Sequence, residues 1–345
     1  MPKRQTVLLT GISGFIAKHI ALNLLNEGYD VVGSVRSLAR GDEVRAAVAP
    51  HLNASVDLEK SLRFVTLNLD RDDGWDAAMQ GVDILMHTAS PFPLAPPKIE
   101  DDLIRPAVDG TLRAMRAAHN AGVKRVVVTS SFAAIMHSKL PGGRTAHDET
   151  DWSDTNSASI DPYSKSKTLA EKAAWEFVSD QAPDIVLTTI NPTMVLGPPL
   201  DNHFGSSVEL VQRILRAKDP MVPRFGLGCV DVRDVARIHV DALGNAATQS
   251  KRIIAVDRFM WLTDLSHALK EHFPDRKLVT RQAPDFVVRL LGIFDKSIRQ
   301  IVPDLGKKLE ISNVRAKDLF GMEFIAAEES VVATAKYLID HDQVG

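Results

Sequence analysis

The sequence predicts an α/β fold, a doubly wound parallel sheet with a smaller C-terminal lobe. Three observations predict it. Short apolar runs alternate with helical stretches from residue 6 to about residue 192, as parallel βαβ units require. The runs are continuously apolar, which suits strands covered on both faces. The first run, Thr6 to Thr10, then turns through Gly11 and Gly14 into a helix.

That turn is the first element to justify. Its spacing is Gly-x-x-Gly-x-x-Ala, formed by Gly11, Gly14 and Ala17, with Ser13, Phe15 and Ile16 between and after the glycines. Small residues let the backbone approach a ligand closely. The helix start offers unpaired N–H groups and the positive end of the helix dipole, so a phosphate is its natural guest. Close helix packing alone demands a similar turn, so the rest of the chain has to decide.

The following elements come in regular order. Ile16, Ile20 and Leu24 form the buried stripe of the first helix, and Gly28 stops it. Asp30 to Val35 is the second strand. A helical region over about 40–60 leads to a third strand, Arg63 to Leu67, and a short helix near 74–80 to a fourth, Asp83 to His87. The Pro-rich stretch Ser90 to Pro97 is too stiff for a helix and forms a wall. A helix over about 100–121 precedes strand five, Arg125 to Thr129, which ends at Ser130-Ser131. Pro162 suits the first turn of the next helix. Strand six, Ile185 to Ile190, stops at Asn191-Pro192.

Beyond residue 192 the spacing loosens. Helical segments near 206–216, 231–244, 263–272, 284–301 and 327–341 mix with short strands near 252–256 and 277–280. The expectation is a Rossmann-type dinucleotide-binding domain over 1–192. Residues 193–345 form mainly a substrate-binding lobe, with segments returning to the core.

Composition limits the function. The 45% hydrophobic and 25% charged residues among 345 describe an ordered globular chain. A formal charge of −3 without long runs of one sign gives nucleic-acid binding no support. The single cysteine, Cys229, excludes an internal disulfide framework and fits a reducing compartment. The first strand leaves no room for a signal peptide, and no apolar run reaches membrane-spanning length. A cytoplasmic monomer or homodimer is expected. His87 and His137 lack metal-ligand spacing and Cys229 has no partner, so no metal is expected.

The decisive group is Tyr163-Ser164-Lys165-Ser166-Lys167. Tyr163 and Lys167 are four apart and share one helix face. A free tyrosine has a pKa of about 10 and is a poor acid–base catalyst near neutrality. A nearby lysine cation favours the phenolate, which makes Tyr163 a usable proton donor and acceptor. A surface helix carrying a Tyr and two lysines gives the same short pattern, and position separates the two readings. This helix follows strand five, whose end carries Ser130 and Ser131, and a hydroxyl there can hydrogen-bond a substrate carbonyl oxygen beside Tyr163.

With these residues the chain resembles the extended short-chain dehydrogenase/reductases over nearly its whole length. Within them it is most similar to the branch of dihydroflavonol reductases, cinnamoyl-CoA reductases and fungal methylglyoxal or carbonyl reductases. The matching blocks are Thr10 to Ala17, His87 to Pro91, Thr129 to Ser131, Tyr163 to Lys167, Asn191-Pro192-Thr193 with Gly197-Pro198, and Asp231 to Ala236. Each block is modest; their shared order and spacing is specific. The resemblance implies a carbonyl reductase that moves hydride between a nicotinamide and a carbonyl carbon. Tyr163 acts as general acid, Ser131 holds the oxygen, and Lys167 tunes Tyr163 and grips the nicotinamide ribose. The family pattern places catalysis on Ser131 and leaves Ser130 structural. It also implies dinucleotide contacts at Thr88, Ala89 and Ser90, at Pro192, Thr193 and Val195, and, near the adenine, at Asn68 and Leu69. An aspartate is common where Asn68 stands.

The end of strand two selects the dinucleotide. An NAD site usually places an acid there for the ribose 2′-hydroxyl. This chain has Arg36 and Ser37, and no carboxylate before Asp42. Arg36 can pair with a 2′-phosphate, with Ser37 and Arg40 adding donors, so the expected cofactor is NADP(H). The expected substrate wall is Phe92, Phe132, Met136, Met194, Phe204 and Ser206, for a small or aromatic carbonyl compound or its alcohol. Ordinary core packing is the competing account of each. Flavonoid-reducing relatives carry an asparagine where Met136 aligns, which favours a simpler aldehyde or ketone. Asp109, where many relatives have asparagine, has no functional account. His147-Asp148-Glu149 reads as a capped loop against the sheet. Competing functions are a nucleotide-sugar epimerase or dehydratase, a 3β-hydroxysteroid dehydrogenase-like enzyme and a non-catalytic NADP-sensing protein.

Overall fold

The structure, a computed structural model, describes residues 4–91, 99–157 and 160–344. Its strands in chain order are β1 (Thr6–Thr10), β2 (Asp30–Val35), β3 (Leu62–Thr66), β4 (Ile84–His87), β5 (Arg125–Thr129) and β6 (Ala146–His147). They continue with β7 (Val186–Pro192), β8 (Met194–Leu196), β9 (Gly226–Asp231), β10 (Lys251–Ala255), β11 (Arg258–Trp261) and β12 (Glu310–Ile311). Seven strands form the main sheet in the order β10-β7-β5-β4-β1-β2-β3, all parallel. The order reverses between β1 and β4, so the crevice beyond their carboxyl ends is where a dinucleotide fits.

Sequence dictates the two faces. Odd and even positions of β1 serve different cores. Val7 and Leu9 join one with the helices Phe15–Asn26 and Val232–Gly244, while Leu8 joins another with the helices Asp101–Asn120 and Pro162–Asp180. The first helix ends where expected. Gly28 takes φ +87°, and Tyr29 N donates to Leu24 O at 3.0 Å, closing the last turn.

Several elements differ from the sequence expectation. The stretch read as a short lobe strand near 252–256 is the seventh strand of the main sheet. Ile253, Ile254 and Ala255 are completely buried against β7 and the helices around it. No strand forms at 277–280; an isolated bridge joins Val222 to Gln282. The helical region over 40–60 breaks into Ala39–Val48, a 3₁₀ turn holding Pro50, and Leu58–Ser61. Pro50 offers no N–H to continue the helix. The segment 284–301 likewise divides, into Asp285–Phe294 and Lys296–Ile301. The loop after His147 does lie against the sheet: β6 pairs with β12, and Glu149 accepts from Ile254 N at 3.1 Å. Among the described residues no helix is long and apolar enough to cross a membrane.

Candidate active site

The Gly11 turn is built to stay open. Gly11 has φ +65°, and a Cβ there would lie 2.9 Å from Ala89 Cα. Only glycine allows β1 and the segment after β4 to meet so closely. Gly14 caps the following helix and, as a glycine, has no side chain to occupy the first-turn N–H groups. Ser13, Phe15 and Ile16 surround this start, all partly exposed. Thr88 and Ala89 are tied to the same turn, since both donate their backbone N–H to Thr10 Oγ1 at 3.1 Å. A pyrophosphate fits such a cradle through backbone donors and the helix dipole.

At the end of β2, Arg36 and Ser37 are exposed, and among the described residues Arg36 makes no hydrogen bond or ion pair. Arg40, offered as an extra donor, already bonds Glu43 at 2.5 Å and His203 at 2.8 Å. Asn68 is exposed and its Oδ1 accepts from Asp70 N at 2.9 Å, so it shapes its own turn; Leu69 packs on Gly110.

The catalytic candidates converge beyond β5. Asp161 caps the helix Pro162–Asp180, its carboxylate accepting from Tyr163 N and Ser164 N at 2.9 and 3.0 Å. Pro162 occupies the first turn, and Tyr163 and Lys167 rise from one face with Lys167 Nζ 5.8 Å from the Tyr163 ring centre. Ser131 begins the 3₁₀ turn Phe132–Ala134, its Oγ accepting from Ala133 N at 3.1 Å while it also hydrogen-bonds Tyr163. Burial pushes the Tyr163 phenol above its ordinary value and the Asp161 carboxylate adds to that, while the Ser131 hydrogen bond opposes both. The net direction is opposite to that expected from the Tyr163–Lys167 spacing, because desolvation of a phenolate outweighs its neighbours. Lys167 is lowered to about 8 by burial, against the pull of Glu171. A phenol raised in this way stays protonated near neutrality and has a proton to give.

Behind the two serines lies a polar cluster that sequence reading missed. Glu171 accepts from Ser130 Oγ, from Asn191 Nδ2 at 2.7 Å, from Thr189 Oγ1 at 2.9 Å and from Arg252 Nε at 2.7 Å. Asn191 Nδ2 also donates to Ser131 O at 3.1 Å. Arg252 in turn donates to Glu149 O and Asp151 O and stacks 3.6 Å from the Trp152 ring centre. Glu171 follows Lys167 by one helical turn, so the face it shares with Tyr163 and Lys167 was a readable signal. Its partners on β7 and β10 were not.

The remaining predicted residues are scattered. Phe132 is 4% exposed and packs with Ile135, Ile254 and Val256, with Met136 against that cluster. Pro192 and Val195 are buried, and Thr193 donates its N–H to Ala255 O at 3.1 Å. Met194 and Phe204 pack on the core of the later lobe, and Ser206 opens the helix Ser206–Leu215 at the surface. Ser90 lines a small cavity with Lys167. Phe92 lies outside the described residues. Among the described residues no group of three or more His, Cys, Asp or Glu is placed to hold a metal ion.

The profile of the NAD dependent epimerase/dehydratase family matches residues 7–256. The chain belongs to that family. It is 32% identical over 359 residues to the NADPH-dependent methylglyoxal reductase GRE2 of Saccharomyces cerevisiae, covering 97% of this chain and 98% of the relative. To the cinnamoyl-CoA reductase CAD2 of Medicago truncatula it is 32% identical over 340 residues, covering 97% and 95%. The solved structure of yeast methylglyoxal/isovaleraldehyde reductase Gre2 with NADPH superposes with a TM-score of 0.81 at 27% identity, covering 99% of this chain and 100% of that one. The extended short-chain reductase resemblance and the Rossmann-type fold both hold.

Proposed function

We propose that this protein is an NADPH-dependent reductase of aldehydes and ketones, working reversibly on the corresponding alcohols. The observation that carries the reading is the hydrogen bond between Tyr163 and Ser131 with Lys167 Nζ 5.8 Å from the phenol ring. When bound, the nicotinamide supplies the hydride that reduces the carbonyl carbon. The chain does the rest. Gly11, Gly14 and the helix start hold the pyrophosphate, and Arg36 with Ser37 takes the 2′-phosphate. Ser131 Oγ holds the carbonyl oxygen, Tyr163 O–H gives it the proton, and Lys167 supports both Tyr163 and the ribose.

Relatives named as methylglyoxal and cinnamoyl-CoA reductases support a small or aryl-conjugated carbonyl substrate. The same reading gives residues 1–192 the dinucleotide and 193–345 most of the substrate lobe, in a cytoplasmic monomer or homodimer. The test is NADPH oxidation against aldehydes, α-keto compounds, aryl ketones and dihydroflavonols. Turnover of the simpler carbonyls is expected, and Tyr163→Phe should lower it about 100- to 10,000-fold with NADPH binding nearly intact. Activity only on a UDP- or GDP-sugar would overturn the reading.

A further inference from the structure

His87, the last residue of β4, is 2% exposed, and its Nε2 is buried without a hydrogen-bond partner among the described residues. The surrounding bonds fix where its proton sits. Thr10 Oγ1 accepts from Thr88 N and from Ala89 N, and these two bonds fill both lone pairs of a hydroxyl. Its own proton therefore goes to His87 Nδ1, 2.9 Å away. In the neutral ring Nε2 carries the hydrogen and is a donor.

That donor borders a cavity of about 20 Å³, room for about one water molecule, lined by His87, Thr111, Ser130 and Lys167 among others. Its wall holds a second donor, the Lys167 ammonium. Two donors, one of them a cation, cannot satisfy each other. The wall also holds oxygens with lone pairs to spare. Ser130 Oγ spends its proton on Glu171, and Thr111 Oγ1 donates to Ala107 O at 2.8 Å. Ser90, Thr129 and the Glu171 carboxylate also line the space, so one water there can accept from the two donors and donate to two of the surrounding oxygens.

We infer that His87 is a positioning residue whose Nε2–H anchors a buried water to Lys167, so that the ammonium beside Tyr163 keeps a polar partner inside the fold. The inference rests on the catalytic reading of Tyr163 and Lys167 above. The charged and titratable neighbours of Lys167 agree with it. Tyr163 and Glu171 flank it on its own helix, His87 faces it from β4, and Arg252 of β10 stands behind Glu171. The helix Asp101–Asn120 puts Thr111 into the cavity wall. Burial and the Lys167 charge hold His87 at about 4, so it stays neutral and keeps the donor in place.

The test has two parts. A high-resolution crystal structure of the NADPH complex should show one ordered water within hydrogen-bonding distance of both His87 Nε2 and Lys167 Nζ. A dry or collapsed cavity, or a protein acceptor on Nε2, overturns the inference. The second part separates the two ring nitrogens. His87→Asn keeps an acceptor for Thr10 and loses the distal donor, whereas His87→Gln keeps the distal donor and loses the Thr10 contact. In reduction, kcat/KM falls as pH rises through the titration of the Tyr163–Lys167 pair. His87→Asn should move that alkaline limb down by about one pH unit, as for a lost hydrogen bond to a charged group, and His87→Gln should leave it in place. Equal profiles for both variants would overturn the role, and if either fails to fold the crystal structure decides. Full turnover by Tyr163→Phe would instead sink the catalytic reading and leave the water to be judged by the density.

Discussion

The two ends of the proposed cofactor crevice treat charge in opposite ways. At the nicotinamide end Glu171 and Arg252 are 1% and 8% exposed, and their bonding groups are matched to protein partners. At the adenosine end Arg36 stands exposed with no partner among the described residues. The difference follows from what each end must do. In the proposed mechanism Ser131 and Tyr163 act only at fixed distances, and the segments carrying them are tied by a hydrogen-bonded network. In the same proposal Arg36 binds the 2′-phosphate, and an internal carboxylate there would compete with that anion.

The largest effect should come from breaking the closed end. Glu171→Ala leaves the Arg252 guanidinium buried without its counter-charge and releases Ser130 and Asn191 together. Loss of one partner of a buried ion pair costs about 3–5 kcal/mol, measurable as a lower urea midpoint at unchanged slope. A cost under about 1 kcal/mol would show that the network merely fills space. The double substitution of Glu171 and Arg252 by apolar residues should recover part of the loss.

At the open end the effect moves from stability to binding. Arg36→Ala should leave the urea midpoint unchanged and weaken NADPH about 10- to 100-fold, the scale of a charge-assisted hydrogen bond to phosphate. NADH, which lacks that phosphate, should bind nearly as before. Equal losses for both dinucleotides in fluorescence titrations would remove Arg36 from the phosphate site.

The same contrast decides what sequence alone could reveal. The Gly11–Gly14 turn, the Tyr163–Lys167 pair and the missing acid at Arg36 are local, each legible within a few residues. Six of the seven main-sheet strands were legible too, because apolar runs and helices alternate. The closed network was not. Arg252 lies 81 residues from Glu171, and its strand looks no different from a lobe strand until it pairs with β7. The direction of the Tyr163 shift was hidden for a related reason. Spacing reports the cation on the same helix face, but burial depends on everything that folds over it.

The smallest effect separates capping from charge at the junction of the two regimes. Asp161 holds the helix start through Tyr163 N and Ser164 N, and its carboxylate also raises the Tyr163 phenol. Asp161→Ala removes both and should cost about 1 kcal/mol of stability, the usual value of an N-cap. Asp161→Asn keeps an accepting oxygen for the helix N–H groups, but discards the charge and puts an amide nitrogen where Oδ2 accepts from Ser164 Oγ at 2.5 Å, beside His137. Its urea midpoint should fall, because the fold, against the effect of burial, holds the Asp161 carboxyl at about 2 through its hydrogen bonds and so favours the charge, while the phenol, freed of a like charge, titrates lower. The proposed mechanism needs Tyr163 protonated for reduction, so the alkaline limb of kcat/KM should then begin at lower pH. A limb that moves only with Asp161→Ala would mean that helix order sets the acidity of Tyr163 and the carboxylate field does not.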